Sequence, residues 1–132
     1  MKKSITLKNF EVIEILRKLN QPDSIINSTT VKYPVSFLWK VNGNLKKLFE
    51  IEQRIVAEEQ KINDAYSTEE KAIQDESGWQ VKEEYRQDFI NEKNELFEIE
   101  NEIDVDMVNV SEIEQLDFSP SDFRSLLFMI ED

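Results

Sequence analysis

From Pro34 to Tyr66 the apolar residues recur at alternating steps of three and four. Leu38, Val41, Leu45, Leu48, Ile55, Ile62 and Tyr66 share one seven-residue register, which on an α-helix draws a single seam along one side. Two carboxylates, Glu52 and Glu59, occupy the same register. Beside it Phe37, Phe49 and Val56 form a second register and widen the stripe beyond what a two-stranded coiled coil uses. A stripe that wide needs more than one neighbour to cover it. The spacing therefore predicts the central helix of a small globular core.

The front of this stretch carries a competing pattern. Val31, Tyr33, Val35, Phe37, Trp39 and Val41 alternate as in a half-buried strand, and Asn42-Gly43 is a favoured hairpin turn. The helix is preferred because the heptad beginning at Leu38 keeps its phase across Gly43, where a helical glycine costs about 1 kcal/mol relative to Ala. Pro34 then stands in the first turn, where its missing N–H costs nothing. On this reading Tyr33, Phe37, Trp39 and Phe49 are core aromatics rather than a stacking platform for bases.

The segments on either side of the central helix supply its neighbours. Ser4 to Leu7 can pair as an edge strand. Phe10, Ile13, Leu16 and Leu19, with Val12 and Ile15 beside them, make a first amphipathic helix, capped by Thr6 or Asn9 and stopped by Pro22. Residues 67–78 are polar and close on Gly78, which predicts a mobile loop. A second long helix starts near Glu83 with Tyr85, Phe89, Leu96, Ile99 and Ile103 on one face and Glu92 in phase with them. Ile103, Val105 and Met107 alternate with Asp104 and Asp106, leaving open a short strand over 103–110 that would pair with Ile5 to Leu7. Ser119-Pro120-Ser121-Asp122 resembles a capping box ahead of a terminal helix carrying Phe123, Leu126, Leu127 and Ile130. The expected fold is mainly α and a single domain over 1–132. It is a long antiparallel helical hairpin with flanking N- and C-terminal helices, and a two-stranded ribbon remains an option.

Composition limits the chemistry. Without cysteine there are no disulfides or zinc-thiolate sites, and without histidine the commonest general base and nitrogen ligand are both missing. Two glycines cannot build a glycine-rich phosphate loop, and no nucleophile has a visible base. No cofactor is expected, and the chain is not expected to be an enzyme. After Lys2 and Lys3, the charges of Lys8, Glu11 and Glu14 break up any continuous apolar run, so no secretion signal is expected. The longest apolar run, Leu126 to Ile130, is far short of the roughly 20 residues that span a bilayer.

Charge is distributed unevenly. The net charge is −12, but residues 1–54 hold ten Lys and Arg against five Asp and Glu, or +5, while residues 55–132 hold six against 23, or −17. The back segment should repel nucleic acid and anionic membrane and attract a basic protein surface. Within it Glu84, Asp88, Glu95, Glu98 and Glu102 fall within about a quarter of a helix circumference and span roughly 27 Å. Carboxylates placed in this way can stand in for phosphates and occupy the Lys and Arg of a nucleic-acid-binding enzyme. A second constellation, Glu52, Glu59 and Glu92, would face inward if Glu59 came opposite Glu92. Such a set holds magnesium in helical nucleotide pyrophosphohydrolases, and here it competes with Glu52 and Glu59 lying at the solvent-facing end of the seam, stems packed and heads in water. A wide apolar stripe can also be completed by a second copy, which leaves a homo-oligomer open.

Several stretches together resemble a known family. They are Tyr33 through Asn44 with Leu45 and Leu48, the Glu-rich helix with Tyr66 near its end, Val81 to Tyr85, Glu95-Leu96 and Ile103 to Val110. The closing Leu116-Asp117-Phe118-Ser119-Pro120 and Leu127-Phe128-Met129-Ile130-Glu131 complete the set. The chain is similar in these to short uncharacterised proteins encoded by phages and prophages of Gram-positive bacteria. The resemblance implies a viral origin and a host-cytoplasm setting. Taken with the −17 segment, it leads to the expectation of a non-catalytic inhibitor of a host nucleic-acid-binding defence enzyme, with a virion assembly or baseplate-associated protein as the alternative. It implies no reaction and no ligand.

Overall fold

The computed structural model describes residues 2–20, 33–114 and 120–131. In chain order the elements are β1 (Lys2–Lys8), α1 (Asn9–Leu19), α2 (Val35–Ala65), β2 (Ala72–Asp75), β3 (Gly78–Val81), α3 (Glu83–Glu98) and β4 (Glu100–Asp106). After these come β5 (Val108–Asn109), α4 (Val110–Ile113), α5 (Pro120–Leu126), a 3-10 turn (Leu127–Met129) and β6 (Ile130–Glu131). The chain is mainly α.

The 31-residue α2 organises the molecule. Val41, Leu45, Leu48, Ile55 and Tyr66 of the seam are buried, while Leu38 and Ile62 are half-buried. The second register divides, with Phe37 buried, Phe49 packed on the core and Val56 58% exposed. The reason is that the core lies on the N-terminal half of α2, under α1, β4 and the C-terminal segment. Farther along, α3 is the main cover of the helix among the described residues, and one such neighbour does not span a stripe that wide.

The helix runs from Val35, with Pro34 as its N-cap, straight through Gly43. Trp39 is 78% exposed, contrary to the core position expected of it. A helix turns about 200° between Phe37 and Trp39, so burying one presents the other to solvent. At Gly43 an added Cβ would meet only Asp106 Oδ2, at 3.9 Å. Gly43→Ala should therefore raise stability by about 0.5–1 kcal/mol, read as a higher urea midpoint at unchanged slope. A lower midpoint would show strain that the open space does not suggest.

β1 and β4 pair antiparallel with Ile5 opposite Ile103, so the ribbon is present. Leu7, Ile103 and Val105 face the core, while Glu100, Glu102 and Asp104 are exposed. Past the ribbon, β5 and β6 pair in parallel, with Val108 opposite Ile130. A buried polar side chain of α2 fastens the end of β4. Asn44 is fully buried; its Nδ2 donates to the Asp106 carbonyl at 2.9 Å, and its Oδ1 accepts from the Asp106 N–H at 2.8 Å. The amide acts as a strand neighbour, satisfying both backbone groups at the end of β4.

Three local expectations need correction. The cap of α1 is Lys8 rather than Thr6 or Asn9, and its N–H donates to Glu11 Oε1 at 3.0 Å. Asn9 is buried and works as a cross-link: its Nδ2 donates to the Leu96 carbonyl at 2.6 Å, and its Oδ1 accepts from Asn101 Nδ2 at 2.8 Å. That rotation leaves Phe10 38% exposed while Val12, Leu16 and Leu19 are buried. Second, the expected loop over 67–78 contains most of the β2–β3 hairpin, with Asp75 opposite Gly78. Gly78 takes φ +104°, which L side chains avoid. Asp75 Oδ1 holds the turn by accepting from Ser77 N–H at 2.8 Å and Ser77 Oγ at 2.7 Å, and these bonds keep its carboxyl below the usual range. Third, Ile103 is reached by a strand and not by continuation of α3. The expectations on Pro22, on 116–119 and on the strand pattern at Val31 lie outside the described residues.

Candidate functional site

Three of the ten front-half cations, Lys8, Lys40 and Lys47, are engaged by the back half. Lys8 Nζ lies 2.7 Å from Glu98 Oε2, and that hydrogen bond and charge hold the ammonium above its ordinary pKa. Lys40 Nζ lies 2.9 Å from Glu112 Oε1, and Lys47 Nζ donates to the Asp104 carbonyl. Arg54 stands with Glu102 and Asp104 around one shallow cavity. Lys40, Lys47 and Arg54 are seven residues apart, so α2 turns one cationic row toward the acidic C-terminal segment.

Of the five carboxylates picked out as a stripe, Glu84, Asp88 and Glu95 are exposed on α3. None has an ion-pair partner among the described residues. With Glu98 they fall within about 80° of the helix at roughly 100° per residue, over about 21 Å. Glu98 is exposed but held by Lys8. Glu102 does not belong to this flank. α3 ends at Glu98, Ile99 is extended, and Glu102 lies in β4 opposite Thr6. Pairing with β1 satisfies the backbone of 100–106 while burying Ile103 and Val105, which a longer helix could not do together. The helical stripe therefore has four members, and Glu102 stands on the ribbon with Glu100 and Asp104.

The inward-facing carboxylates are not brought together. Glu52 and Glu59 are half-buried and Glu92 is exposed. Glu59 Oε2 lies 3.4 Å from Lys93 Nζ, because Lys93 follows Phe89 by one turn on the face toward α2 while Glu92 sits on the flank. Among the described residues no group of three or more carboxylates is disposed to hold a metal ion.

Glu92 acts instead on Tyr66. Burial, then the hydrogen bond to Glu92 and the charges of Glu92 and Asp88, push the Tyr66 phenol up from its ordinary value of 10.0. Tyr66 packs on Phe89 with ring centroids 5.2 Å apart. The folded state thus favours the neutral phenol. Its contribution is complete below the unfolded value near 10 and is lost as pH rises through the raised folded value. The urea midpoint should fall more steeply above about pH 10 in the native chain than in Tyr66→Phe. Equal slopes for the two would remove Glu92 and burial as the cause.

Sequence patterning missed the groove at this end of the molecule. Asn63 of α2 and its C-cap Tyr66, Trp79 and Val81 of β3 and Arg86 and Ile90 of α3 line it. A lone Trp after Gly78 was the only local signal. Comparison with protein-family models, with curated proteins and with solved structures finds no match for this chain.

Proposed function

We propose that this protein acts without catalysis, by presenting an acidic face to a basic macromolecular partner. The supporting observation is the exposed row Glu84, Asp88 and Glu95 on α3, which has no ion-pair partner among the described residues. Glu98 extends the row, and Glu102 of β4 contributes from the ribbon. In this reading α2 and α3 form an antiparallel hairpin that keeps the row straight. The partner is a host nucleic-acid-binding defence enzyme whose Lys and Arg the carboxylates occupy in place of phosphates. The setting is the bacterial host cytoplasm, and the face binds neither nucleic acid nor membrane.

The test is affinity capture from the bacterial host at about 50 and about 500 mM salt, with partners identified by mass spectrometry. A stripe that mimics phosphates loses its partner steeply with salt. The triple variant Glu84→Gln, Asp88→Asn, Glu95→Gln should lose roughly 30-fold in affinity at low salt, about 2 kcal/mol over three pairs. Binding indifferent to both salt and the triple variant would reject the reading.

A second reading, a virion assembly or baseplate-associated protein, is favoured by Val35 and Trp39, which are 81% and 78% exposed at the start of α2. Val35 and Trp39 are one turn apart on the same face, and a contiguous exposed apolar patch can mark a surface that another subunit or a second copy covers. Recovery of the chain in purified particles would favour this reading over the first.

A further inference from the structure

Where α2 ends, the β2–β3 hairpin folds over α3 and leaves a groove of about 490 Å³, within the range of small-molecule sites, about 300–1,000 Å³. Tyr66, Phe89, Ile90 and Trp79 give it apolar walls. Trp79 and Ile90 are 52% and 43% exposed, so surface that this chain can bury elsewhere is turned toward solvent here. The groove is on the side of α3 away from the acidic row, about half a turn from Glu84 and Asp88.

Carboxylates stand near it, with Glu92 and Asp88 acting on the Tyr66 phenol and Glu70 on that of Tyr85, but the charged residue among those lining it is cationic. Residues 55–132 hold only six Lys and Arg against 23 carboxylates, yet three of the six stand at this end. Lys71 Nζ sits 4.8 Å from the Tyr66 ring centre, and Lys93 Nζ sits 5.2 Å from that of Phe89. Lys93 is matched by Glu59 at 3.4 Å. Arg86, the charged residue among those lining the groove, has no carboxylate within ion-pair distance among the described residues. Its guanidinium donates one long bond, 3.4 Å, to the Val81 carbonyl. A guanidinium offers five donors in a plane matched to a carboxylate. Beside aromatic walls, Arg86 supplies one half of a recognition pair.

We infer that this groove binds a small apolar carboxylate. An aromatic or branched aliphatic body seats against Trp79, Phe89 and Ile90, and its carboxylate meets Arg86. The prediction runs against the net charge, since a chain of −12 draws cations from solution. A preference for the anion over the matching amine therefore isolates Arg86 from the general field.

The experiment titrates the full-length, nitrogen-15-labelled chain with 3-phenylpropionate, 3-phenylpropylamine and the uncharged 3-phenylpropanamide. Trp79 and Trp39 supply the two indole N–H reporters, assigned with Trp39→Phe. The carboxylate should shift the Trp79 indole and the Ile90 amide saturably, with a Kd of about 1 mM or below. It should bind about tenfold tighter than the amine and the amide. Arg86→Gln should remove that preference and Arg86→Lys should keep part of it, both with native peak dispersion. The comparison of the three probes on the native chain needs no variant, so an unfolded Arg86→Gln would not rescue the inference. It is overturned if the amine binds as well as the carboxylate, or if Trp39 shifts as much as Trp79. No response up to about 10 mM carboxylate, or a folded Arg86→Gln that keeps the preference, would also overturn it.

Discussion

Asn44→Leu should lower the unfolding free energy by about 3 kcal/mol, although it replaces a polar side chain in the core with an apolar one of the same heavy-atom count. Leu fills the space but leaves the Asp106 N–H and carbonyl without the partners that Asn44 supplies at 2.8 and 2.9 Å. A buried backbone group stripped of its hydrogen bond costs about 1–3 kcal/mol, and two are stripped together. Asn44→Asp should be at least as damaging. It keeps an acceptor for the Asp106 N–H, loses the donor to the carbonyl, and places a charge at a fully buried position. Urea unfolding at neutral pH reads both. A loss under about 1 kcal/mol for Asn44→Leu would mean that water takes over the end of β4, and that the amide is a tolerated core residue rather than a fastener.

The second large effect is on the seam. Leu48→Ala should cost about 3 kcal/mol, within the range of about 2–5 for buried leucines, because Leu48 has no exposed surface and sits in the main core cluster. For a domain of this size that is a fall in Tm of roughly 10 °C. Trp39→Ala, removing a much larger side chain nine residues earlier, should change stability by less than about 0.5 kcal/mol, since Trp39 is 78% exposed. The pair of variants separates the two patterns that overlap between Val31 and Val41. If Trp39→Ala proves as costly as Leu48→Ala, the alternating pattern and not the heptad governs the packing.

Much of the architecture is legible without coordinates because it rests on local periodicity. The seven-residue register from Leu38 to Tyr66 specifies a helix whatever surrounds it, and its phase across Gly43 excludes the hairpin that Asn42-Gly43 would otherwise favour. The alternation from Ile103 to Met107 likewise marks a strand, with Ile5 to Leu7 as its partner. Misreadings arise where two patterns share residues or where a boundary depends on a distant neighbour. Glu102 continues the helical phase of Glu84, Asp88, Glu95 and Glu98, and only β1, more than 90 residues away in sequence, pulls it into a strand. Asp75, Ser77 and Gly78 together encode a turn that composition alone reads as a loop.

The candidate site divides in the same way. By itself the sequence determined the central helix, the mainly α class and the separation of a +5 front from a −17 back, because each depends on residue identity and spacing alone. The tertiary structure decided which charges lack a partner among the described residues, that Asn44 closes the end of β4, that Glu59 meets Lys93 instead of Glu92, and that Arg86 lines a groove with Trp79 with no described carboxylate in ion-pair distance. Pairing of charges and satisfaction of buried polar groups depend on distances of a few ångströms between residues far apart in the chain. No local pattern carries those distances.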